Sequence, residues 1–219
     1  MARSDSQAKG HSQAERARRA PSPEERQRDA ARSRERLLAA ALDEFSARGF
    51  AGARVSAIAD RAGLNPQLIT YYFGGKEGLY RAIGQRWLEQ EATFAAPESP
   101  LGELIAAYMR ASFADARMSR LLLWDGLTDK TDEEGAAAPG DEREDLSDLE
   151  RRQTEGEIAA DLDPGLLQLA LMGATLAPIA LPQVVRRITG RDPGDPRFQA
   201  DYIDQIRRII RHLSGPKPA

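Results

Sequence analysis

The chain has 219 residues, of which 41% are hydrophobic and 30% are charged, and its formal net charge is −3. It contains no cysteine, which excludes disulfides and thiolate metal sites and fits a reducing compartment. No apolar run approaches the ~20 residues that a membrane-spanning helix needs, and the N-terminus lacks the apolar stretch of a secretory signal, so we expect a cytoplasmic protein without membrane association.

The N-terminal part combines a polar arm with a basic character. Residues 1–31 are rich in Arg, Ser, Gln and Ala and show no apolar periodicity, which predicts a disordered arm. Residues 1–90 carry 16 Lys and Arg against 11 Asp and Glu, whereas residues 91–219 carry 15 against 23. A basic first part suggests an anionic partner, although a scatter of solvated charges explains the same numbers equally well.

Three helices are predicted after the arm. The pattern becomes helical from Ala30, and apolar residues recur at helical spacing until Gly49 ends the run. A second helix follows over roughly residues 55–62, with Gly63 as the turn residue. Asn65 can cap a third helix that ends near residue 73, before two glycines. A small residue, a glycine turn and an apolar anchor in this order are typical of a helix-turn-helix.

The third helix is predicted to have two different faces. Ile69 and Phe73, four residues apart, point inward. The outward face consists of Gln67, Thr70 and Tyr71, which lie three and four residues apart. Gln can donate and accept at an adenine edge, Thr offers a methyl and a hydroxyl, and Tyr hydroxyls contact phosphates. Lys76, at the start of the following helix, adds a charge for the DNA backbone.

The second part of the chain is also predicted to be helical. Asp163 reads as a helix cap with Pro164 in the first helical position. The predicted helices span about 76–87 and beyond, 101–113, 120–127, 146–158, 164–188 and 198–213, with an acidic loop over 129–145. The sequence shows neither an alternating strand pattern nor an internal repeat, so we predict an all-α chain.

The segment that contains the predicted helix-turn-helix resembles a known family. "VSAIADRAGLNPQLITYYFGGKEGLYRAI", preceded by "RERLLAAALDEFSARGFAGARV", resembles the DNA-binding domain of the TetR family of transcriptional regulators. The shared pattern is carried by Ile58-Ala59, Ala62-Gly63-Leu64, Tyr71-Tyr72-Phe73 and Lys76-Glu77-Gly78-Leu79. The resemblance covers about residues 32–86, and the rest of the chain agrees with the family in helical character and size.

The resemblance implies an N-terminal three-helix helix-turn-helix domain over 32–80 and a helical effector-binding and dimerisation domain over 81–215. It implies DNA contacts by Arg54, Ser56, Pro66, Gln67, Thr70, Tyr71, Tyr72 and Lys76. The sequence departs from the family pattern at three of these positions. Arg54 replaces a frequent capping Thr, Tyr72 replaces a frequent His, and Thr70 replaces a frequent Tyr, which changes the DNA sequence that is read.

Two further sites in the second domain follow from the resemblance. A pocket for a small, mainly apolar effector is expected among Tyr108, Met109, Phe113, Met118, Leu122, Trp124, Met172 and Thr175, although plain core packing explains these residues as well. A homodimer is expected through the last two helices, 164–188 and 197–213. The first has small residues that permit close approach, and the second has an isoleucine stripe at 203, 206, 209 and 210. Packing within one subunit is the alternative for both.

Other classes of protein are weighed against this one. The chain has only two histidines, His11 and His212, and lacks a nucleophile-elbow serine and a phosphate-binding loop, so we predict no catalytic residue, no metal and no cofactor. The remaining alternative is a helical protein–protein adaptor with vestigial DNA binding. Our prediction is a bacterial, ligand-responsive repressor that binds a palindromic double-stranded DNA operator. The sequence does not separate repression from activation.

Overall fold

The computed structural model describes residues 22–96, 98–128 and 145–213, which form ten helices and contain no strand. The all-α prediction is therefore confirmed. The helices are α1 Pro23–Gly52, α2 Val55–Ala62, α3 Gln67–Phe73, α4 Lys76–Phe94, α5 Leu101–Ala114, α6 Arg117–Thr128, α7 Ser147–Thr154, α8 Pro164–Ala180, α9 Pro182–Thr189 and α10 Pro196–His212. Most of the predicted arm and acidic loop lie outside the described residues.

Helix α1 begins earlier than the sequence pattern indicates. The predicted arm reached residue 31, but the helix starts at Pro23, and Ser22 and Glu25 form a reciprocal capping box at its N-terminus. Our prediction was wrong here because it followed apolar periodicity, and the first residue that the core buries is Leu37. The cap and the good helix formers between these points extend the helix through a solvated stretch.

Gly49 interrupts α1 close to its C-terminal end. Its backbone adopts φ 67° and ψ 173°, which L side chains rarely adopt, and the helix resumes only for one short turn. The indole of Trp124 from α6 packs over this glycine, so that a Cβ placed there would lie 3.3 Å from the ring. The predicted break at Gly49 is confirmed. The same glycine leaves room for the Trp124 ring of α6 to pack against the backbone of α1.

The first core cluster belongs mainly to the N-terminal helices. It is formed by residues that are almost fully buried, chiefly Leu37, Ala41, Phe45, Ile58, Ile69 and Leu79, and Leu121 of α6 completes it. We refer to α1–α4 as the head and to α5–α10 as the body. Because Leu121 of the body is buried in the core of the head, the two parts share one packed interface along α1 and α6.

The second core cluster holds the body together. It contains Leu101, Met109, Leu149, Ile158, Leu171, Ile203, Ile206 and Ile210. Arg152 of α7 is also buried here, and its guanidinium forms ion pairs with Asp148 at 2.7 Å and Glu157 at 2.6 Å. Glu157 also accepts a hydrogen bond from the backbone N–H of Leu101, so α7 is tied to the start of α5. The buried guanidinium is therefore paired with two carboxylates that are themselves partly exposed.

The long apolar helix predicted over 164–188 is two helices. Helix α8 begins as predicted, with the Asp163 carboxylate accepting from the N–H of Leu166, but it ends at Ala180. Leu181 leaves the helical region with φ −128° and ψ 52°, and α9 starts at Pro182 after a bend of 90°. Proline disfavours the α conformation in the residue before it, which explains the break. Pro178, in contrast, is accommodated inside α8.

Within residues 22–96, 98–128 and 145–213, no single helix is long and apolar enough to cross a membrane. The pair of α8 and α9 reaches the required length and composition only when both helices are taken together across their bend.

Candidate nucleic-acid interface

The turn between α2 and α3 has the geometry of a helix-turn-helix. Gly63 adopts the left-handed conformation with φ 61°, and the N–H of Leu64 donates to the Ala59 carbonyl at 3.0 Å. Ala59 and Ala62 are small residues that are buried in the first core cluster. The predicted glycine turn is therefore confirmed.

Helix α3 is capped at both ends. The side-chain Oδ1 of Asn65 accepts from the N–H of Gln67 at 2.8 Å, and Pro66 fills the intervening position. At the other end, Gly74 is left-handed with φ 74°, and its N–H donates to the Thr70 carbonyl at 2.9 Å. The seven residues of α3 are thus held by their ends, because so short a helix has little stability of its own.

The two faces of α3 are divided as predicted. Ile69 is fully buried in the core of the head, whereas Gln67 and Thr70 are exposed. Tyr71 is 79% exposed, and its ring makes an edge contact with Tyr72, with centroids 5.0 Å apart. Tyr72 is half-buried and packs against the core. The helix therefore presents a polar and aromatic face to solvent.

Two residues that the sequence analysis did not identify fix the C-terminal end of α3. A Cβ on Gly78 of α4 would lie 1.6 Å from the Phe73 carbonyl oxygen, so the two backbones meet in a space that only glycine permits. Arg34 of α1 donates from Nη1 to the Tyr72 carbonyl at 3.0 Å, and its guanidinium lies 4.7 Å from the centroid of the Phe73 ring. Glycine in the first turn of α4 was the available sequence clue for the first contact.

Lys76 lies at the start of α4, where the sequence predicted a phosphate contact. It is half-buried, and its ammonium lies 4.6 Å from the centroid of the Phe50 ring. The same ammonium donates to the Ala51 carbonyl at 3.4 Å. These contacts hold the positive charge beside the α1–α2 connection, next to the exposed side of the head.

The start of α2 contributes the other predicted contacts. Arg54 and Ser56 are both exposed there. In the described part of the chain, Arg54 occupies the N-cap position without a side-chain hydrogen bond to the helix, as expected from the loss of the usual Thr. Pro66 is exposed at the start of α3. The eight predicted DNA-contact residues thus lie at the start of α2, at the start and along the length of α3, and at the start of α4, and Tyr72 and Lys76 are more buried than the others.

The head is joined to α6 by polar contacts as well as by the shared core. Arg117 pairs with Asp43 of α1 at 2.7 Å and with Asp115 at 2.6 Å, and the hydrogen bonds from Arg117 lower the pKa of Asp115. Tyr80 of α4 donates a short hydrogen bond to Asp125 of α6. Burial, together with this carboxylate, raises the pKa of Tyr80 above its ordinary value, so its hydroxyl remains a donor.

The predicted effector residues are distributed over separate environments. Met109 is buried in the second core cluster and Phe113 packs against it, whereas Met118 packs against the first cluster. The buried Thr175 hydroxyl donates to the Leu171 carbonyl of its own helix. The Tyr108 hydroxyl donates to Glu91, and the Trp124 indole covers Gly49. Leu122 and Met172 are exposed. A single pocket that gathers all eight residues stays a prediction.

An apolar face of α8 is left uncovered. Leu166 is 68% exposed and Leu169 64%, and Met172 and Gly173 continue the same side of the helix toward its end. On α10, three of the four stripe isoleucines are buried in the core of the same subunit, and only Ile209 is exposed. The stripe is therefore mostly internal packing, while α8 carries an exposed apolar surface of the kind found at protein interfaces.

Comparisons with known proteins agree with this geometry. The model of the family described as bacterial regulatory proteins, tetR family, matches residues 37–83. The HTH-type transcriptional regulator RutR of Escherichia coli (strain K12) is 28% identical over 214 residues, covering 88% of this chain and 94% of RutR. The HTH-type transcriptional repressor SCO4008 of Streptomyces coelicolor is 29% identical over 194 residues, covering 84% and 97%. The crystal structure of the regulator SCO4942 from Streptomyces coelicolor covers 85% of this chain and 99% of its own, with a TM-score of 0.66 at 22% identity, and shows the same fold.

Proposed function

Because this chain belongs to the TetR family of bacterial regulatory proteins and is a DNA-binding transcriptional regulator, we propose that it is a repressor released from a palindromic operator by a small-molecule effector. The observation that carries the proposal is the solvent face of α3. A helix that is buried on one side and capped at both ends presents Gln67, Thr70 and Tyr71 together, without burying any of them. That arrangement suits entry into a major groove.

The residues of this face have separate roles in the proposal. Gln67 reads an adenine edge, and Thr70 contacts a base through its methyl or hydroxyl group. The remaining contacts go to the DNA backbone, which positions the head without reading sequence. They come from Arg54, Ser56, Pro66, Tyr71, Tyr72 and Lys76. The Lys76 ammonium is held over the Phe50 ring, so its charge is already positioned on the head before DNA binds.

The proposed operator is palindromic because the proposed repressor is a two-fold dimer. The exposed apolar side of α8, with Leu166 and Leu169, supports an interface in which each subunit covers the other, and Ile209 of α10 extends it. Paired with their symmetry mates, α8 and α10 form a four-helix bundle. The two heads then place their α3 helices in successive major grooves, about 35 Å apart.

Release requires the body to influence the head. The contacts of α6 with α1 and α4 provide the link, since Asp125 accepts from Tyr80 and Arg117 pairs with Asp43. An effector that favours another position of α6 changes the spacing of the two heads and lowers the affinity for the operator. Effector and operator then oppose each other reciprocally, with a coupling of about 1–3 kcal/mol. The body is the proposed location of the effector, whose bulk is mainly apolar.

Selection of bound DNA from a random pool tests the proposal, with full-length protein at a stated salt concentration. We expect enrichment of a palindrome whose half-sites are about one helical turn apart. A Gln67→Ala variant should lose the preference at one position of each half-site, while Gln85→Ala, an exposed glutamine on α4, should select the same sequence as the parent.

Two outcomes of that selection contradict the proposal. Weak, salt-sensitive binding without an enriched sequence favours the adaptor alternative, in which DNA binding is vestigial. An enriched site without two-fold symmetry contradicts the dimer. Transcription from a promoter that carries the enriched site then separates repression from activation.

A further inference from the structure

The last turn of α1 is set apart from the rest of that helix and carries an aromatic ring. Gly49 has non-helical backbone angles, the helix resumes for one short turn, and Ala53 is extended. Phe50 lies in this turn, where it is half-buried at the edge of the first core cluster. The ring therefore lies between the core of the head and the connection that leads to Arg54 and α2.

Two aromatic neighbours fix the orientation of the Phe50 ring. Phe45, which is fully buried, stacks on it with centroids 5.9 Å apart and an angle of 22° between the rings. Tyr80 of α4 makes an edge contact with it at 5.1 Å and a second edge contact with Phe45 at 5.3 Å. Because the three rings contact one another, none of them turns independently of the other two.

Helix α6 of the body holds this group of rings at two points. The indole of Trp124 packs over Gly49, and the hydroxyl of Tyr80 donates to Asp125. Trp124 and Asp125 are consecutive residues of α6. The first contacts the backbone just before Phe50, and the second contacts the ring that packs on Phe50. A movement of α6 therefore reaches Phe50 by two routes.

The outer side of the Phe50 ring carries Lys76. The ammonium lies 4.6 Å from the ring centroid and donates to the Ala51 carbonyl at 3.4 Å. In residues 22–96, 98–128 and 145–213, no Asp or Glu forms an ion pair with Lys76. A lysine ammonium has three donors. One ring and one carbonyl leave donors and the full positive charge available to an anion.

We propose that Phe50 is a positioning residue for DNA binding, which holds the Lys76 ammonium where it meets a phosphate of the operator. The inference rests on the proposed function, because the phosphate contact of Lys76 is part of it. A lysine side chain loses rotamer freedom when it binds, and a ring that already holds the ammonium reduces this loss. Since α6 holds the ring, a movement of α6 that displaces Phe50 also releases Lys76.

A double-mutant cycle with the full-length protein tests the inference in operator binding. Phe50→Leu keeps an apolar side chain and removes the ring. We expect an operator affinity about tenfold lower, because both heads of the dimer lose a cation–ring contact. In a Lys76→Met background, Phe50→Leu should change the affinity by less than about twofold. Equal losses in the two backgrounds overturn the inference, because Phe50 then acts independently of the ammonium.

Three further variants separate positioning from support of the fold. Phe50→Tyr keeps the ring and should stay within about threefold of the parent. Phe45→Leu removes the buried neighbouring ring, and should lower the melting temperature but cost less than about threefold in operator affinity. Lys76→Met should reduce the steepness of log affinity against log salt by about 2, one phosphate for each head. If Phe45→Leu weakens operator binding as much as Phe50→Leu, Phe50 acts through the core and the inference is wrong.

NMR of protein labelled with 13C-lysine tests the contact itself in the absence of DNA. The face of an aromatic ring shields the protons above it, so the Hε resonances of Lys76 should lie upfield of those of a free lysine. A Lys76→Arg variant assigns the signal. Phe50→Leu should return it to the position of a free lysine, and Phe50→Tyr should leave it upfield. An unshifted signal in the parent overturns the inference.

The inference and the function on which it rests fail in different ways. The same cycle measured on a duplex of arbitrary sequence still reports the phosphate contact, because that contact reads no base. Coupling between Phe50 and Lys76 there, without an enriched palindrome, contradicts the proposed repressor and retains the role of Phe50. An enriched palindrome together with an additive cycle contradicts only the role of Phe50.

Discussion

The outer faces of α3 and α8 are both exposed surfaces on helices whose opposite sides are buried, but they are built differently. The face of α3 consists of separate polar and aromatic groups, and the base contacts proposed for them depend on their position relative to base edges. The face of α8 is apolar, and the stability of an interface formed by it depends on the area that a partner covers. A short helix that must position single atoms needs Asn65, Gly74 and Arg34 to hold its ends. Helix α8 is also capped, by Asp163 at its N-terminus, but an apolar face that contributes area depends less on the exact position of the helix ends.

The largest effect is expected at the apolar face. Leu169→Glu places one unpaired carboxylate on each subunit in the proposed interface, which costs several kcal/mol per charge when it is buried. We expect at least about a 100-fold rise in the dimer dissociation constant, measured by light scattering over a dilution series. Leu127→Glu is the control, because this leucine of α6 is even more exposed and lies outside α8 and α10. Unchanged dimerisation of Leu169→Glu contradicts the assignment of α8.

The second effect tests how strongly the face of α3 depends on backbone position. Gly78→Ala forces α4 away from the Phe73 carbonyl, because the added methyl would lie 1.6 Å from that oxygen. Strain of this kind costs about 1–3 kcal/mol of stability. We expect a roughly 100-fold loss of operator affinity, measured by filter binding, because α3 is displaced in both heads of the dimer.

Gly84 of the same helix is the matched control for Gly78. A Cβ there meets nothing within 4 Å, so Gly84→Ala should keep operator affinity and raise the free energy of unfolding by about 0.5–1 kcal/mol. If the two alanine variants bind DNA equally well, the close approach of α3 and α4 has no role in positioning the face.

A third, smaller effect concerns a single group on the face of α3. Gln67→Ala removes the proposed base contact and should cost about 1–3 kcal/mol on the cognate operator, and less on an operator with the corresponding base pair changed. Competition binding with the two operators measures both quantities. An equal loss on both DNA sequences assigns Gln67 to the backbone rather than to base reading.

The smallest effect is expected from the contact that stabilises the end of α3. Arg34→Ala removes the hydrogen bond to the Tyr72 carbonyl and the contact with the Phe73 ring, which together are worth about 1 kcal/mol. We expect a three- to tenfold loss of operator affinity in filter binding. Arg32→Ala, an exposed arginine two residues earlier, should have less effect. The reverse order indicates that α1 contacts DNA directly instead of supporting α3.

Sequence reasoning was most accurate where single residues dictate backbone geometry. Gly63, Asn65 and Asp163 could be assigned in advance because turns and caps need particular side chains at particular positions. The start of α1 at Pro23 was missed, because a solvated helix has no apolar periodicity to reveal it. The break at Leu181 was also missed, although Pro182 was visible, since a continuous apolar run concealed it.

Contacts between distant parts of the chain could not be predicted. In the sequence, nothing distinguishes Arg34 from the other arginines. Only the fold brings it to Tyr72 at the end of α3, 38 residues away. Trp87 and Phe94 share a side of α4 by their spacing, but only the structure places Tyr108 opposite them. The isoleucines of α10 were expected at a dimer interface, and three of four are used within the subunit. Periodicity predicts which side of a helix is apolar, and it does not predict what covers that side.

The two tryptophans have a consequence for observing the molecule at work. The chain has only these two, and they lie in different places: Trp87 on α4 beside Phe94, with ring centroids 6.1 Å apart, and Trp124 over Gly49 at the contact of α6 with the head. The protein therefore contains two intrinsic fluorophores, one on α4 and one at the contact of α6 with the head. Trp124→Phe leaves the emission of Trp87 to report changes around α4, and Trp87→Phe leaves that of Trp124 to report changes where α6 meets the head, without any added dye.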